Sequence, residues 1–529
     1  MSTERLLLSG NEAVARASFD AGVHLGTGYP GTPSTEILEN FSAIGGKAQW
    51  APNEKVALEV ALGAAFGGGR VIMTTKHVGL NVAADPLFTG AYIGVSGALV
   101  IVDADDPGMA SSQNEQDNRN YAKAAGLPML EPADAQEAYD FTRLGIELSS
   151  KFQIPVLLRM TTRVCHSQTV VNTRAADQDI PVPNYIKDIP SRVMIPAYAR
   201  PAHRRLRKKL AEIKAYNEMT TINTIIKGDS KLGIITSGVS YVHAREAAPD
   251  ASFMKISMSH PLPTDKIKAF AESVDRCLVI EEGDPFLFES LKAADINVEG
   301  KDQMYRFGEL NVPRVQRIIN NDISEEATPP KGKPPELCLG CPHRISFELL
   351  RDMGCIVSGD IGCYTLGVLP PFSAMDTCVC MGASITAGLG LRHVLPEEQA
   401  RKVVSVLGDS TFMHSGPAGL IEMVYNKPAT GHIVIILDNS ITAMTGMQEH
   451  PGTGRKLDHS PAYQVNYEDL CKSLAIDKVL TLDPRNQKDL LEQTLKDAMD
   501  SNDTTVIICR EPCILAAKKI KEFEKKNKR

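Results

Sequence analysis

Apolar positions along the first 170 residues follow two alternating patterns. Helical spacing of apolar residues is found at 11–21, 33–41 and 54–66. Short runs rich in β-branched residues and bounded by turn residues occupy 24–29, 71–75, 97–103 and 154–159. Runs of that length and composition predict buried strands. Their alternation with helices predicts a parallel sheet covered by helices.

The same alternation returns twice further along the chain. Strands are predicted at 232–236, 253–256 and 276–280, with helices at 242–248 and 264–273. After a proline-rich stretch at 327–336, strands are predicted at 356–358, 403–407, 433–437 and 505–509, and a charged helix at 518–529. The chain therefore divides into α/β domains at 1–190, 226–325 and 337–529, joined by linkers at 191–225 and 326–336.

The linker at 191–225 is distinguished by its positive charge. It contains the run His203-Arg-Arg-Leu-Arg-Lys-Lys209, in a region that has lost the regular apolar pattern. Such a run is usually the solvated face of a helix, and the alternative is contact with nucleic acid or with the phosphates of coenzyme A. We expect the solvated helix.

Composition narrows the class of protein. The 529 residues carry 57 Lys and Arg against 64 Asp and Glu, a formal charge of −7, and 43% of them are hydrophobic. These ordinary globular values exclude disordered and collagen-like chains. No apolar run approaches the roughly 18 residues of a membrane span, and the N-terminus does not resemble a signal peptide. The sequence therefore predicts a soluble cytoplasmic protein with no membrane span and no general affinity for nucleic acid.

Two neighbouring strands of the last domain end in residues that suit a metal and a diphosphate. The strand at 403–407 leads into Gly408-Asp409-Ser410, and the strand at 433–437 leads into Asp438-Asn439-Ser440. Ligands of open α/β folds bind at this edge of the sheet. Asp409, Asn439 and the main-chain carbonyl of Ile441 could supply oxygens to Mg²⁺, and Gly408 would let the backbone approach phosphates.

This spacing resembles the thiamine-diphosphate signature, with departures at Ser410 and Asp438. Two ordinary strand-to-loop turns are the alternative, because Asp and Asn favour such positions. Thiamine chemistry also needs a buried carboxylate that faces the aminopyrimidine. Glu54, at the start of an Ala-rich helix, is the candidate, and its alternative is a first-turn Glu that complements the helix dipole. The Gly26, Gly28 and Gly31 spacing is not interpreted as a dinucleotide site, because prolines crowd the turn.

The cysteines are distributed unevenly. Of the 11, only Cys165 and Cys277 precede residue 338. A C-x-x-C pair at Cys338 and Cys341 is followed by Cys363 and Cys513. Thiolates in such a set suit either zinc or an iron–sulfur cluster. The remaining cysteines are expected to be packed thiols, although Cys378 and Cys380 could compete as ligands: Cys355, Cys378, Cys380, Cys471 and Cys509.

Taken together, separate motifs resemble the large (alpha) subunits of the indolepyruvate:ferredoxin oxidoreductase family. They lie in order at 29–36, 53–65, 111–119, 337–344, 359–364 and 408–416. The resemblance implies an α/β fold with two thiamine-diphosphate-binding-type parallel-sheet domains, a pyrimidine-binding one at 1–190 and a diphosphate-binding one at 337–529. A smaller transketolase-C-like domain would occupy 226–325. The family oxidatively decarboxylates arylpyruvates to aryl-acetyl-CoA and passes electrons singly to ferredoxin.

The resemblance also implies roles for individual residues. Asp409, Asn439 and the Ile441 carbonyl match the Mg²⁺ ligands, and Glu54 matches the activating glutamate. Thr32 and Arg119 match residues beside the substrate carboxylate. The cofactor-binding positions are completed by Gly408, Ser410 and His414, and the ligands of one proximal [4Fe–4S] cluster by Cys338, Cys341, Cys363 and Cys513.

The family's partners follow from one departure. Many large subunits continue into a ferredoxin-like domain with repeated C-x₂-C-x₂-C-x₃-C-P runs, and no such run occurs here. We therefore expect one cluster at most, a small gamma/beta-type partner subunit in a dimer of heterodimers, and ferredoxin or a separate cluster-bearing subunit as electron acceptor. The alternative functions are a non-oxidative thiamine-dependent 2-oxoacid decarboxylase and a non-catalytic subunit with structural zinc.

Overall fold

A computed structural model describes residues 4–327 and 335–527, with side chains as far as Phe523. The chain divides into two compact units, one up to Ala327 and one beyond it. Of the predicted proline-rich linker at 326–336, residues 328–334 lie outside the described residues. The first two predicted α/β domains therefore belong to one unit and the third to the other.

The first unit is built around a seven-stranded sheet. The strand order is β12-β6-β7-β5-β4-β2-β3, and every pair is parallel except β12 with β6. The strands of this sheet are β2 (Leu25–Gly28), β3 (Ala48–Trp50), β4 (Arg70–Lys76), β5 (Ala98–Asp105), β6 (Met129–Leu130), β7 (Val156–Thr161) and β12 (Met258–His260). An antiparallel pair, β1 (Arg5–Ser9) with β8 (Gln168–Asn172), lies outside it.

A second, four-stranded sheet completes this unit. Its order is β13-β10-β11-β9, with only β9 antiparallel. Its strands are β9 (Thr224–Ile226), β10 (Asp229–Ser237), β11 (Ala251–Ile256) and β13 (Cys277–Ile280). Strand β12 follows β11 along the chain but pairs with β6 of the larger sheet. One strand from the predicted second domain therefore completes the sheet of the first. Backbone hydrogen bonds between β12 and β6 join the two predicted domains.

The helices of the first unit agree with the predicted alternation. They are Gly10–Asp20, Thr35–Ala43, Glu54–Phe66, His77–Val82, Ala84–Ile93, Arg119–Ala125, Ala135–Phe152, Thr162–His166, Ile189–Arg192, Pro196–Met219, Ser240–Ala247, Thr264–Ala271, Phe286–Lys292 and Val312–Ile319, with a 3-10 turn at Gln303–Arg306. The basic run lies on Pro196–Met219, which buries Ala202, Leu206 and Ile213 and exposes Arg204, Arg205 and Arg207. Within the described residues, none of the helices is long and apolar enough to cross a membrane.

The second unit holds a six-stranded, fully parallel sheet with the order β15-β14-β16-β17-β19-β18. The strands are β14 (Ile356–Gly359), β15 (Thr377–Cys378), β16 (Val403–Gly408), β17 (His432–Asp438), β18 (Lys478–Leu482) and β19 (Thr504–Arg510). The helices are His343–Asp352, Ala383–Val394, Glu397–Ala400, Asp409–Tyr425, Tyr467–Ser473, Lys488–Asp500 and Ala517–Asn527, with a 3-10 turn at Cys363–Val368. Residues 528–529 of the predicted charged helix lie outside the described residues.

Candidate functional site

The carboxyl ends of β16 and β17 bring Asp409 and Asn439 together. Gly408 pairs with Leu437 in register, so the residues that follow both strands lie at one edge of the sheet. Asp409 opens the helix Asp409–Tyr425, and its Oδ2 accepts a hydrogen bond from the Ser440 backbone N–H at 2.7 Å. Both side chains are buried, Asp409 at 3% and Asn439 at 7% exposure. The two oxygen-bearing groups predicted from spacing therefore meet in a largely dry corner.

Two histidines complete this corner. The Asn439 Nδ2 amide lies 3.3 Å from His343 Nε2, and His450 Nε2 lies 3.4 Å from Asp409 Oδ2. Burial lowers the pKa of His343 to about 4, so the ring is neutral and can accept the amide hydrogen. His343 lies within the motif at 337–344, but its contact with Asn439 was not predicted. His450 was missed, because it lies on a loop outside any motif.

Negative charge concentrates at the same place. Burial disfavours ionised Asp409, but the charge and hydrogen bond of His450 outweigh it, and the pKa of Asp409 is lowered. Burial and the charge of Asp409 raise the pKa of Asp438 to about 6, although Arg510 Nε donates to Asp438 Oδ2 at 2.6 Å. An ionised carboxylate beside an amide oxygen is a donor set that suits a hard divalent cation.

The other predicted cofactor residues lie around this corner. Ser410 Oγ accepts a hydrogen bond from Thr442 Oγ1 at 2.8 Å, and His414 Nδ1 lies 2.8 Å from Ser415 Oγ. Ser410 and His414 are buried, on the first turns of the helix that Asp409 opens. Ile441 is 1% exposed, and its backbone N–H donates to Asn439 Oδ1 at 3.2 Å.

The predicted cluster ligands come together in the second unit. Burial raises the pKa of the Cys341 thiol to about 11, and the charges of Cys338, Cys363 and Cys513 add to the effect. Burial also raises the pKa of the Cys363 thiol to about 11, and the charges of Cys513 and Cys338 add to this shift. Charges act strongly only over short distances in a protein. Cys338, Cys363 and Cys513 therefore lie within electrostatic reach of Cys341, although Cys363 and Cys513 are distant from it in sequence.

The other cysteines are elsewhere. Burial raises the pKa of the Cys378 thiol, and the charges that add to this shift are those of Asp360 and Cys380, not those of the predicted ligand set. Cys471 and Cys509 are buried in apolar clusters. Within residues 4–327 and 335–527, no group of three or more His, Cys, Asp or Glu side chains is gathered closely enough to hold a single metal ion.

Glu54 occupies a constrained position in the first unit. It is 5% exposed and begins the helix Glu54–Phe66, where Asn53 Oδ1 accepts the Val56 backbone N–H at 2.9 Å. A Cβ placed on Gly79 would come within 2.5 Å of Glu54 Oε1, so only glycine leaves room beside this carboxylate.

Thr32 lies in a loop that packs beside Lys76. It is partly exposed in the loop that precedes Thr35–Ala43. A Cβ on Gly31 would lie 3.1 Å from the Lys76 side chain. Burial lowers the pKa of Lys76, and the charges of Asp106 and Glu54 oppose the shift. Lys76 therefore packs beside the Thr32 loop and lies within electrostatic reach of Glu54, a relationship that the sequence did not reveal.

Arg119 lies in a buried network of ion pairs and hydrogen bonds. It is 1% exposed, forms an ion pair with Asp117, and its Nη1 lies 2.7 Å from Glu281 Oε2. Its Nη2 also donates to the Glu282 carbonyl oxygen at 2.7 Å. These contacts join the helix Arg119–Ala125 to the end of β13. Arg119 therefore helps to hold the first unit together, and its role beside the substrate carboxylate stays a prediction.

Comparison with known families agrees with this geometry. Residues 360–509 match the family described as thiamine pyrophosphate enzyme, C-terminal TPP binding domain. Residues 16–224 match the family described as pyruvate flavodoxin/ferredoxin oxidoreductase, thiamine diphosphate-binding. The first match contains Asp409 and Asn439, and the second contains Glu54 and Thr32.

Curated relatives extend over almost the whole chain. Indolepyruvate oxidoreductase subunit IorA of Archaeoglobus fulgidus is 38% identical over 97% of this chain and 87% of its own length. The subunit IorA of Methanothermobacter thermautotrophicus is 37% identical over 97% of this chain and 88% of its own length. The chain belongs to the indolepyruvate oxidoreductase subunit IorA family. It is thus a member of the thiamine-diphosphate-dependent 2-oxoacid oxidoreductases.

More distant similarity agrees with this placement in the IorA family. The 2-oxoglutarate synthase subunit KorA of Methanothermobacter marburgensis is 26% identical over 53% of this chain. A solved 2-oxoglutarate:ferredoxin oxidoreductase from Magnetococcus marinus shares the fold, with a TM-score of 0.51 and 17% identity over 60% of this chain and 65% of that one. The family resemblance, the α/β thiamine-type fold and the assignment as an oxidoreductase are confirmed.

Proposed function

We propose that this IorA-family chain is the catalytic subunit of an arylpyruvate oxidoreductase of the indolepyruvate or phenylpyruvate type. The enzyme oxidatively decarboxylates its 2-oxoacid to an acyl-CoA and passes electrons one at a time to a ferredoxin-type acceptor. The observation that carries the proposal is the hydrogen bond from the Cys513 backbone N–H to the Asn439 carbonyl oxygen, at 3.0 Å. It brings a predicted cluster ligand next to a predicted Mg²⁺ ligand.

The residues at the ends of β16 and β17 fit Mg²⁺ and a diphosphate. Asp409 would supply a carboxylate oxygen, Asn439 an amide oxygen and Ile441 a main-chain oxygen, and Mg²⁺ binds such hard donors. The His343 ring beside Asn439 Nδ2 fixes the amide so that its oxygen, not its nitrogen, is available as a ligand. Gly408, Ser410 and His414 would line the phosphates.

The same chain would supply the groups that handle the substrate. Bound thiamine diphosphate would supply the electron sink that allows CO₂ to leave a 2-oxoacid. The buried carboxylate of Glu54 would face the aminopyrimidine ring and stabilise the imino tautomer that activates the cofactor. The Thr32 hydroxyl would donate a hydrogen bond to the substrate carboxylate. Lys76, whose Nζ donates to the Ser111 carbonyl at 2.8 Å, would keep positive charge near that anion.

A [4Fe–4S] cluster fits the neighbouring thiols. The charges of Cys338 and Cys513 act on the pKa of both the Cys341 and the Cys363 thiol, which supports one cluster that joins the four. Such a cluster accepts one electron at a time, whereas oxidative decarboxylation to an acyl-CoA yields two electrons. The two electrons would therefore leave in separate steps. We further propose a cytoplasmic enzyme with CoA as co-substrate, a small partner subunit in a dimer of heterodimers, and a ferredoxin or cluster-bearing subunit that carries electrons away.

Anaerobic purification followed by a coupled assay tests this function. We expect viologen reduction that depends on thiamine diphosphate, CoA and either indolepyruvate or phenylpyruvate. Thiamine-dependent release of CO₂ by protein without iron or sulfide would instead support the non-oxidative decarboxylase. Stoichiometric zinc with no thermal stabilisation by thiamine diphosphate and Mg²⁺ would support the non-catalytic subunit.

A further inference from the structure

The helix Ala517–Asn527 contacts the loop that follows β17 through one aromatic side chain. The Phe523 ring stacks on His459, with ring centres 4.8 Å apart and an angle of 24°. The guanidinium carbon of Arg455 lies 5.2 Å from the centre of the same ring. Stacked and cation–π contacts of this kind attract most strongly where water is excluded. Phe523 therefore covers two side chains of the loop from one side.

These two side chains share a buried carboxylate. Arg455 Nε lies 2.9 Å from Glu449 Oε2, and His459 Nδ1 lies 3.0 Å from Glu449 Oε1. Glu449 is 2% exposed and precedes His450, whose Nε2 lies 3.4 Å from Asp409 Oδ2. A continuous series of contacts thus runs from the C-terminal helix, through the ion pair, to the predicted Mg²⁺ carboxylate.

A second contact fixes the beginning of the same loop. Ile520 of the helix is 3% exposed and packs in one apolar cluster with Ile441 and Ala516. Cys513 and Met447 border this cluster. The segment from Cys513 to Phe523 therefore holds the loop both at Ile441, the predicted main-chain donor, and at Glu449.

We propose that the C-terminal helix is a latch that positions the metal-binding loop, with Phe523, Arg455 and Glu449 as its positioning residues. In the latched state, His450 holds Asp409 Oδ2, and the Ile441 carbonyl is kept in place for the cation. The proposal rests on the proposed function, because it assigns the effect of the latch to Mg²⁺ and thiamine diphosphate binding.

The physical reason is the loop's lack of regular structure. Between β17 and the helix Tyr467–Ser473 it forms only isolated bridges, such as Thr442 with Gln448. Its position is instead set by turn hydrogen bonds, such as that from the Met447 backbone N–H to the Thr442 carbonyl oxygen at 3.0 Å, and by side-chain contacts. Removal of the Phe523 ring would admit water to the Glu449–Arg455 pair and weaken it. The loop would then spend less time in the conformation that binds the cation.

The test measures Mg²⁺ affinity by calorimetry in the full chain at saturating thiamine diphosphate. We expect Phe523→Ala to raise the Mg²⁺ Kd about 10-fold, as it would if the competent population fell to about a tenth. Phe523→Trp should restore affinity to within about 2-fold, because it restores a ring for stacking and cation–π contact. Lys521→Ala, on an exposed residue of the same helix, is the matched control and should bind like the parent.

Three outcomes separate the possibilities. An unchanged Mg²⁺ Kd in Phe523→Ala overturns the latch, even if the variant melts at a lower temperature. If Phe523→Ala does not fold, Arg455→Gln removes both the contact with the Phe523 ring and the ion pair with Glu449, and parent-like affinity in that variant overturns the latch equally. Asp409→Asn tests the underlying function: if it also binds Mg²⁺ like the parent, the proposed metal site fails, and if it alone loses Mg²⁺, only the latch fails.

Discussion

The backbone N–H of Cys513 donates to the carbonyl oxygen of Asn439 at 3.0 Å. Asn439 follows β17, whereas Cys513 follows β19, the parallel strand beside it. Because neighbouring parallel strands end at the same edge, one sheet brings the predicted cluster ligand and the predicted metal ligand together. A short path between them suits the transfer of single electrons out of the thiamine site.

Substitution of Asp409 should remove metal binding without unfolding the protein. In Asp409→Asn the charge is lost but the shape is kept, so we expect the stabilisation by Mg²⁺ and thiamine diphosphate to disappear. For the parent at ligand concentrations near 100 times Kd, that stabilisation is about 2.7 kcal/mol. Thermal denaturation with and without the ligands measures it. Asp458→Asn, on an exposed loop residue, should keep the full stabilisation, and a stabilised Asp409→Asn would contradict the assignment.

The cluster ligands can be identified by metal analysis. Replacement of Cys338, Cys341, Cys363 or Cys513 by Ser should lower the iron and acid-labile sulfide content severalfold, because a cluster needs its thiolates. Cys471→Ala is the control, since Cys471 lies buried in an apolar cluster and should leave iron unchanged. Parent-like iron in all the Ser variants, or zinc in its place, would reject the cluster.

Glu54 should affect turnover far more than cofactor binding. We expect Glu54→Gln to lower kcat by about 10²–10⁴-fold, the usual range for loss of a proton-transferring group. The Kd for thiamine diphosphate should change only slightly, because the amide has the same shape beside Gly79. Steady-state kinetics and calorimetry separate these effects. Glu59→Gln, on an exposed position of the same helix, should leave both constants unchanged.

Arg119 should affect stability. Its guanidinium is 1% exposed and paired with Asp117 and Glu281, so Arg119→Ala would leave buried carboxylates without their partner. We expect a loss of about 3–5 kcal/mol in the free energy of unfolding. Denaturant titration measures it, with the exposed Arg163→Ala as control. If Arg119→Ala leaves stability unchanged and raises the KM for the oxoacid, the predicted role of Arg119 beside the substrate is supported.

The first unit should lose stability as pH rises towards neutrality. Burial raises the pKa of Glu282 to about 7, above its usual value of 4.5. The folded state therefore favours the protonated form, so this stability is fully present below pH 4.5 and is lost as pH rises through 7. The full shift corresponds to about 3 kcal/mol. Glu282→Gln should flatten the dependence of unfolding free energy on pH, and an unchanged slope would contradict the shift.

Sequence spacing located the parts of the site that one element or one sheet edge determines. Asp409 and Asn439 follow strands whose apolar runs are plain in the sequence, and parallel pairing then brings their ends together. The bounds of the helix Glu54–Phe66 were predicted correctly, because the helical spacing of its apolar residues is a local pattern. Cys338 and Cys341 are close because they are separated by one turn.

Contacts between distant segments were not predictable in this way. His450, Glu449 and Arg455 lie on an irregular loop, and nothing local marks them as buried partners. The ion pair between Arg119 and Glu281 could not be foreseen either, because the two residues are 162 positions apart in the chain. Strand β12 is only three residues long, which is too short for a periodic signal.

Strand β12 also limits how the gene can be recombined. Because β12 completes the sheet at β6, a fragment that stopped at residue 225 would leave β6 with an unpaired edge, a known invitation to aggregation. Exchange of the first predicted domain alone between relatives would pair β6 of one protein with β12 of another. A chimeric protein that keeps β6 and β12 from the same parent should therefore exchange the whole segment up to Ala327.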